Sequence, residues 1–411
     1  MTEFDVHTLP NGIRIAHKQA THTKVVHCGF ILDIGSRDEQ PEQHGLAHFW
    51  EHMAFKGTRK RKAYHILNRV DSVGGELNAY TTKEKICFYA SVLDRHFENA
   101  LELLTDITFD SIFPEKQIER ERGVILEEMS MYYDSPEDAI QDDFDAVVFG
   151  EHPLGKNILG TNESIRRFHR DDFQRFLQEN MNTEKLIFSC VGNLPAKKVF
   201  RLAEKYLSAV PTLSGKGHRL PFDHQTPQQE TKSRTLTQAQ CAIGRTAYPV
   251  GDDRSLPFFM LTNLLGGPSM NTRLSMALRE KHGLVYSIDA EYHPYTDTGL
   301  FAIYFGTEPR QLKKAINYTL KELKLLREKP LGTMQLHRIK EQMMGQMAMN
   351  SENNQSLMLA MGRSLLDHYE LENLETLYKK INAITASQLQ DIAQDMFQED
   401  ALSMLAYVPE N

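Results

Sequence analysis

Cysteine is scarce: Cys28, Cys87, Cys190 and Cys241 are the only four in 411 residues, and each stands alone among apolar neighbours. That spacing supports neither a disulfide framework nor paired metal ligands, and it predicts buried thiols in a reducing compartment. Long apolar runs are missing as well. No segment approaches the roughly 20 residues needed to cross a bilayer, so no membrane association is expected. The start, Met1-Thr2-Glu3-Phe4-Asp5, has no basic stretch leading into an apolar one, which argues against a secretory leader and for a cytoplasmic protein. Basic excess is absent too. A net charge of -8, with no basic stretch interleaved with aromatics, sets nucleic acid aside as a partner.

What is present is ordinary soluble composition, with 41% hydrophobic and 25% charged residues. The length predicts two domains of about 200 residues each. In chain order, Phe4 to Leu9 and Ile13 to His17 flank Pro10-Asn11-Gly12 and read as a hairpin. Val25 to Ile34 is a third strand, and Gly35-Ser36-Arg37-Asp38-Glu39 breaks the pattern before a helix that ends near Gly57. After Gly74-Gly75, Glu76 to Thr82 and Ile86 to Val92 read as a strand pair, and Phe97 to Ile107 as a helix. A further helix begins near Pro114 and runs to about Pro136.

The helix ending at Gly57 carries His48-Phe49-Trp50-Glu51-His52. Residues three and four apart share a helical face, so His48 and His52 can offer two imidazoles to one ion with Glu51 beside them. Hydrolytic zinc takes three protein ligands and keeps a position for water, so a third ligand must come from elsewhere and Glu51 is left as the base. The order H-x-x-E-H is the inverzincin signature. Taken alone, the motif is also compatible with a surface helix bearing two solvated histidines and a glutamate. On the later helix, Glu121 and Glu128 lie two turns apart on one face, and Glu128 can complete the site with Glu121 behind it. A merely solvated charged face has the same pattern.

His44-Gly45-Leu46-Ala47-His48-Phe49-Trp50-Glu51-His52-Met53-Ala54-Phe55-Lys56-Gly57-Thr58 resembles the zinc helix of the pitrilysin/insulinase-like metallopeptidases, most of all the mitochondrial-processing-peptidase branch and its bacterial two-domain members. Leu77-Asn78-Ala79-Tyr80-Thr81 and Ile118 to Glu128 are similar to that branch as well. Trp50 departs from the leucine often found there. The resemblance implies Zn2+ held by His48, His52 and Glu128, one ion per chain, with Glu121 as supporting carboxylate and Asn78-Ala79 on the strand that holds peptide substrate. Asp138 and Asp142, one turn apart, fall where processing peptidases hold an arginine near the cleavage point, though a solvated acidic helix explains them equally well.

The second half repeats the first. Ser164 to Asn193 lies on Lys380 to Pro409 without a gap, Ile165 meeting Ile381, Phe173 meeting Leu389 and Phe188 meeting Met404. Residues 1–210, a linker over 211–234 rich in Pro, Gly, Thr and Gln, and residues 235–411 are the expected divisions. In the copy, Met260, Asn263 and Leu264 replace His48, Glu51 and His52, so the second domain is metal-free. It carries Arg279 and Tyr286, which match an arginine and a tyrosine that reach substrate in the family. Chemically, a phenol can donate to an oxyanion and a guanidinium can hold a carbonyl. The glycines near Gly266 lack phosphate-loop spacing.

The resemblance therefore implies two homologous α+β domains, each a mainly antiparallel sheet with helices packed on one face. It implies a zinc endopeptidase acting on peptides or unfolded segments, with Glu51 as base. Larger relatives close four such domains as a clamshell, so a homodimer is expected, Arg279 and Tyr286 completing the partner's site. The alternatives are a scaffold subunit of the same fold, or an active subunit needing a different partner chain.

Overall fold

A computed structural model describes residues 4–410, so Met1 to Glu3, part of the segment read above for a leader, lie outside the described residues. The chain divides into two compact units. The first comprises the chain up to Met129, Lys156–Leu220 and Met349–Asn373; the second comprises Ser130–Gly155, Pro221–Ala348 and the chain from Leu374 onward.

In the first unit, β1 (Asp5–Thr8), β2 (Arg14–Gln19), β3 (Val25–Leu32), β4 (Glu76–Thr81), β5 (Ile86–Leu93) and β6 (Leu186–Gly192) form one sheet. Their order is β1-β2-β6-β3-β5-β4, with β2 and β6 parallel and every other pair antiparallel. Gly12 closes the first hairpin at φ +93°, a conformation open to glycine at little cost. Helices α1 (Leu46–Ala54), α2 (Ala63–Asp71), α3 (Phe97–Phe109) and α4 (Glu115–Asp134) follow. Alternation on β3 sends Val26, Cys28, Phe30 and Leu32 into one core with Leu46, Phe49, Trp50 and Met53 of α1. Ile31 faces the other way, joining Cys87, Ile187 and Val191 beneath Met358, Met361 and Leu365 of helix Asn354–His368. Gly362 permits that approach, since a Cβ there would lie 2.3 Å from Ile31 Cδ1.

The second unit is built alike. Strands β7 (Gln229–Arg234), β8 (Ala239–Ala247), β9 (Val285–Pro294), β10 (Gly299–Thr307) and β11 (Ser403–Pro409) run in the order β7-β11-β8-β10-β9. β7 and β11 are parallel, as β2 and β6 are, and the remaining pairs are antiparallel. Helix Arg170–Asn180 before β6 recurs as Ala386–Met396 before β11. Helix α5 (Pro136–Phe149) lays Ile140, Phe144 and Val147 against Ala242, Ala302 and Leu405 of this sheet.

Both sheets thus carry most helices on one face, as expected, and a single helix on the other. The covering helix of each sheet comes from the other half of the sequence, so the units are not two contiguous stretches. The segment 211–234 also differs from a plain linker. Its beginning belongs to the first unit, where Arg219 grips both carboxylate oxygens of Asp38 at 2.9 and 2.8 Å, and its end is β7. β7 is an edge strand of Gln-Glu-Thr-Lys-Ser-Arg with alternating burial, and such polar edges resist unwanted pairing while reading as loop.

Candidate metal centre

Helix α1 is amphipathic. Leu46, Phe49, Trp50 and Met53 fill the core, Trp50 against Phe88 and Phe176, which leaves His48, Glu51 and His52 on the opposite face. The Trp50 departure therefore points away from the ligands. Helix α4 buries Ile118, Glu121 and Ile125 and turns Glu128 toward the histidines.

Glu128 Oε2 lies 3.8 Å from His48 Nε2 and 3.5 Å from His52 Nε2, and one ligand atom from each of the three residues falls within 4.8 Å of the others. Ligand atoms around a tetrahedral zinc ion with bonds of about 2.0–2.2 Å are roughly 3.3–3.6 Å apart. The two carboxylate-to-imidazole separations lie close to that spacing, and two imidazole nitrogens with one carboxylate oxygen are a donor set that suits zinc. Among the described residues this is the one group of three or more His, Cys, Asp or Glu side chains so placed.

The surroundings orient the ligands. Glu121 Oε1 meets His52 Nδ1 at 3.0 Å, directing Nε2 toward Glu128, and Lys56 Nζ lies 2.7 Å from Glu121 Oε2. Burial pushes the Glu121 carboxyl up, but the contacts from His52 and Lys56 outweigh it and hold the group below its ordinary range. Burial, reinforced by the neighbouring His52, lowers His48 to about 3, which keeps its imidazole neutral and ready to ligate. His48 Nδ1 is buried and has no hydrogen-bond partner among the described residues. Glu51 accepts a 2.6 Å hydrogen bond from Thr81 Oγ1 at Oε2. Its carboxyl is raised, burial outweighing that bond and the nearby His52.

Strand β4 lies at the end of its sheet, paired to β5 on one side. Asn78 and Ala79 are on it, three and two residues before Thr81, so the proposed substrate strand and the carboxylate beside the candidate metal ligands are linked through one hydroxyl. Thr81, Lys56 and Glu39, described further below, were not singled out by sequence reasoning. The first two sit inside the recognised motifs, and their partners become evident only when the chain folds.

The other expected residues lie in the second unit. Asp138 and Asp142 are on α5, where Asp138 Oδ2 accepts a 2.6 Å hydrogen bond from Ser135 at the start of that helix. Arg279 is in the short π-helical turn Ser275–Glu280 and pairs with Glu280 at 2.9 Å. Tyr286 stands near the start of edge strand β9 and is 89% exposed. Met260, Asn263 and Leu264 fall on helix Ser255–Gly266, where Asn263 donates to Gln346 at 2.9 Å. An amide pair thus ties two helices there, in place of a ligand set.

Residues 14–162 match the family model described as insulinase (peptidase family M16), and residues 167–343 match the one described as the peptidase M16 inactive domain. An uncharacterized zinc protease of Bacillus subtilis is 32% identical over 401 residues, covering 97% of this chain and 97% of that protein. Another, from Streptomyces coelicolor, is 32% identical over 398 residues, covering 95% and 86%. A crystal structure of a protease from Helicobacter pylori is similar with a TM-score of 0.90 at 21% identity, over 99% of both chains. A crystal structure of a peptidase M16 inactive domain from Pseudomonas fluorescens gives 0.91 at 17% identity, over 99% of this chain and 98% of that one. At such identities the structural likeness is one of fold.

Proposed function

We propose, because this chain belongs to the insulinase family of peptidases (peptidase family M16), that it is a zinc-dependent endopeptidase cleaving peptides or unfolded segments. The observation that carries this reading is the meeting of His48, His52 and Glu128, with Glu51 on the same helical face. A bound zinc ion would act as a Lewis acid toward a water molecule and the scissile carbonyl.

The remaining work falls to side chains. With Oε2 engaged by Thr81, Glu51 presents Oε1 to take the proton of the attacking water and to pass it to the leaving amine. Burial raises the Glu51 carboxyl, which strengthens it as a base while leaving it acidic enough to return the proton. A peptide adding to the free side of β4 along Asn78 and Ala79 is held extended, its backbone groups satisfied by the strand. Tyr286 is assigned to donate a hydrogen bond to the tetrahedral oxyanion, and Arg279 to hold a substrate carbonyl. Asp138 and Asp142 are assigned to basic side chains of the substrate. Two copies of the chain pair in this reading, and the four buried, free thiols suit a reducing cytoplasm. No helix among the described residues is long and apolar enough to cross a membrane.

Metal analysis combined with a chelator-sensitive peptide assay tests the proposal. The wild type is expected to bind about one zinc per chain, and Glu51→Gln to retain the metal while losing turnover by about 100-fold or more. Cleavage by Glu51→Gln at the wild-type rate, or a wild type that binds no zinc, would refute it.

A further inference from the structure

The metal helix is nine residues long and begins at Leu46. Its first N–H groups have no partner within the helix, and Gly45 before it has no side chain to offer. One carboxylate serves instead. Glu39 Oε2 accepts a 2.9 Å hydrogen bond from Gly45 N–H, and Oε1 accepts a 2.7 Å bond from Ala47 N–H, next to His48. Glu39 is buried, so both bonds are shielded from water. Burial pushes its carboxyl up and the Ala47 and Gly45 N–H groups pull it back down; with one N–H donor on each oxygen, the geometry is that of the charged form, in which both oxygens accept.

Gly45 closes the same end of the helix. At φ +93° it is left-handed, and a Cβ there would lie 2.7 Å from Gly160 Cα and 2.8 Å from Leu159 O. The helix start is therefore gripped by a bidentate carboxylate and wedged against a neighbouring backbone. A metal site tolerates errors of only about 0.2 Å in its ligand distances, whereas a slip of one residue along a helix moves a side chain about 1.5 Å and turns it by about 100°.

We propose that Glu39 is a positioning residue for the metal centre, its two oxygens setting the height and rotation of the metal helix so that His48 and His52 both face Glu128. This rests on the zinc peptidase reading only in taking those three residues as ligands. Glu39 makes no hydrogen bond or ion pair with any of them and acts through the backbone of α1.

Zinc affinity of the full-length chain, measured by chelator competition, tests the assignment without relying on turnover. A Glu39→Gln amide has one accepting oxygen where the carboxylate has two, so one N–H loses its partner while volume is unchanged. The expected result is zinc binding weaker by about tenfold or more, as for other residues that orient ligands, with Glu39→Asp intermediate. Leu202→Ala, in the core on helix Ala196–Leu207, supplies a loss of stability unrelated to the metal helix and should leave zinc affinity within about twofold. Folding of each variant is followed by circular dichroism and thermal melting. Folded Glu39→Gln with wild-type zinc affinity overturns the proposal, as does an equal loss in Leu202→Ala at matched stability. Absence of zinc binding by the wild type would instead overturn the peptidase reading.

Discussion

The chemistry of this protein is concentrated in a few side chains whose protonation is set by neighbours. Thr81 is the least conspicuous of them, because its hydroxyl holds one oxygen of Glu51 and leaves the other free. Thr81→Val should lower kcat by about tenfold or more, the worth of a hydrogen bond to a charged group, with zinc content unchanged and Thr81→Ser restoring most of the rate. A valine variant with wild-type kcat would remove Thr81 from the account. His48 gives a pH signature in protein stripped of metal. Folded, it titrates near about 3; unfolded, near ~6.5. Between those values only the unfolded chain takes up the proton. Its contribution to stability is therefore fully present above about pH 6.5 and is lost as pH falls toward 3. Denaturant titrations at several pH values check this, since metal-free His48→Gln should lose less stability over that interval than metal-free wild type.

At the scale of elements, two helices make the candidate site and strand β4 reaches it through Thr81. α1 and α4 meet across their polar faces, His48 and His52 on one and Glu121 and Glu128 on the other. In the second unit the equivalent helices are tied by Asn263 and Gln346, so the duplication keeps a cross-link while losing the chemistry. Helix Asn354–His368 closes the back of the first sheet through Gly362. Gly362→Leu should destabilise the protein by at least about 1–3 kcal/mol by overpacking that seam. Thermal melting is the check, and a variant as stable as wild type would mean that the helix can be moved aside without loss.

At the scale of the molecule, the proposed arrangement is a pair of identical chains, each lending Tyr286 and Arg279 to the other's metal centre. Analytical ultracentrifugation should find a species of twice the 47.2 kDa chain mass. Mixing inactive Glu51→Gln with impaired Tyr286→Phe should then restore part of the activity, because one centre in the mixed dimer receives both intact groups. A fully active monomer, or no recovery in a mixed dimer, would exclude sharing between chains.

Sequence alone placed His48 and His52 on one helical face, because i and i+4 share a face whatever the helix packs against, whereas Glu128 as their partner with Glu121 behind it was implied by likeness to a family and not by spacing. It also determined the duplication, since apolar periodicity is a local property that survives divergence, as Ile165 with Ile381 and Phe173 with Leu389 retain it. Only the tertiary structure decided that α5 covers the second unit's sheet and Asn354–His368 the first, because the destination of an apolar face is not written in its period. It alone identified β7, whose polar edge composition mimics a linker. It alone brought Thr81 to Glu51 and Glu39 to the start of α1, since contacts between segments distant in sequence depend on how sheets and helices stack.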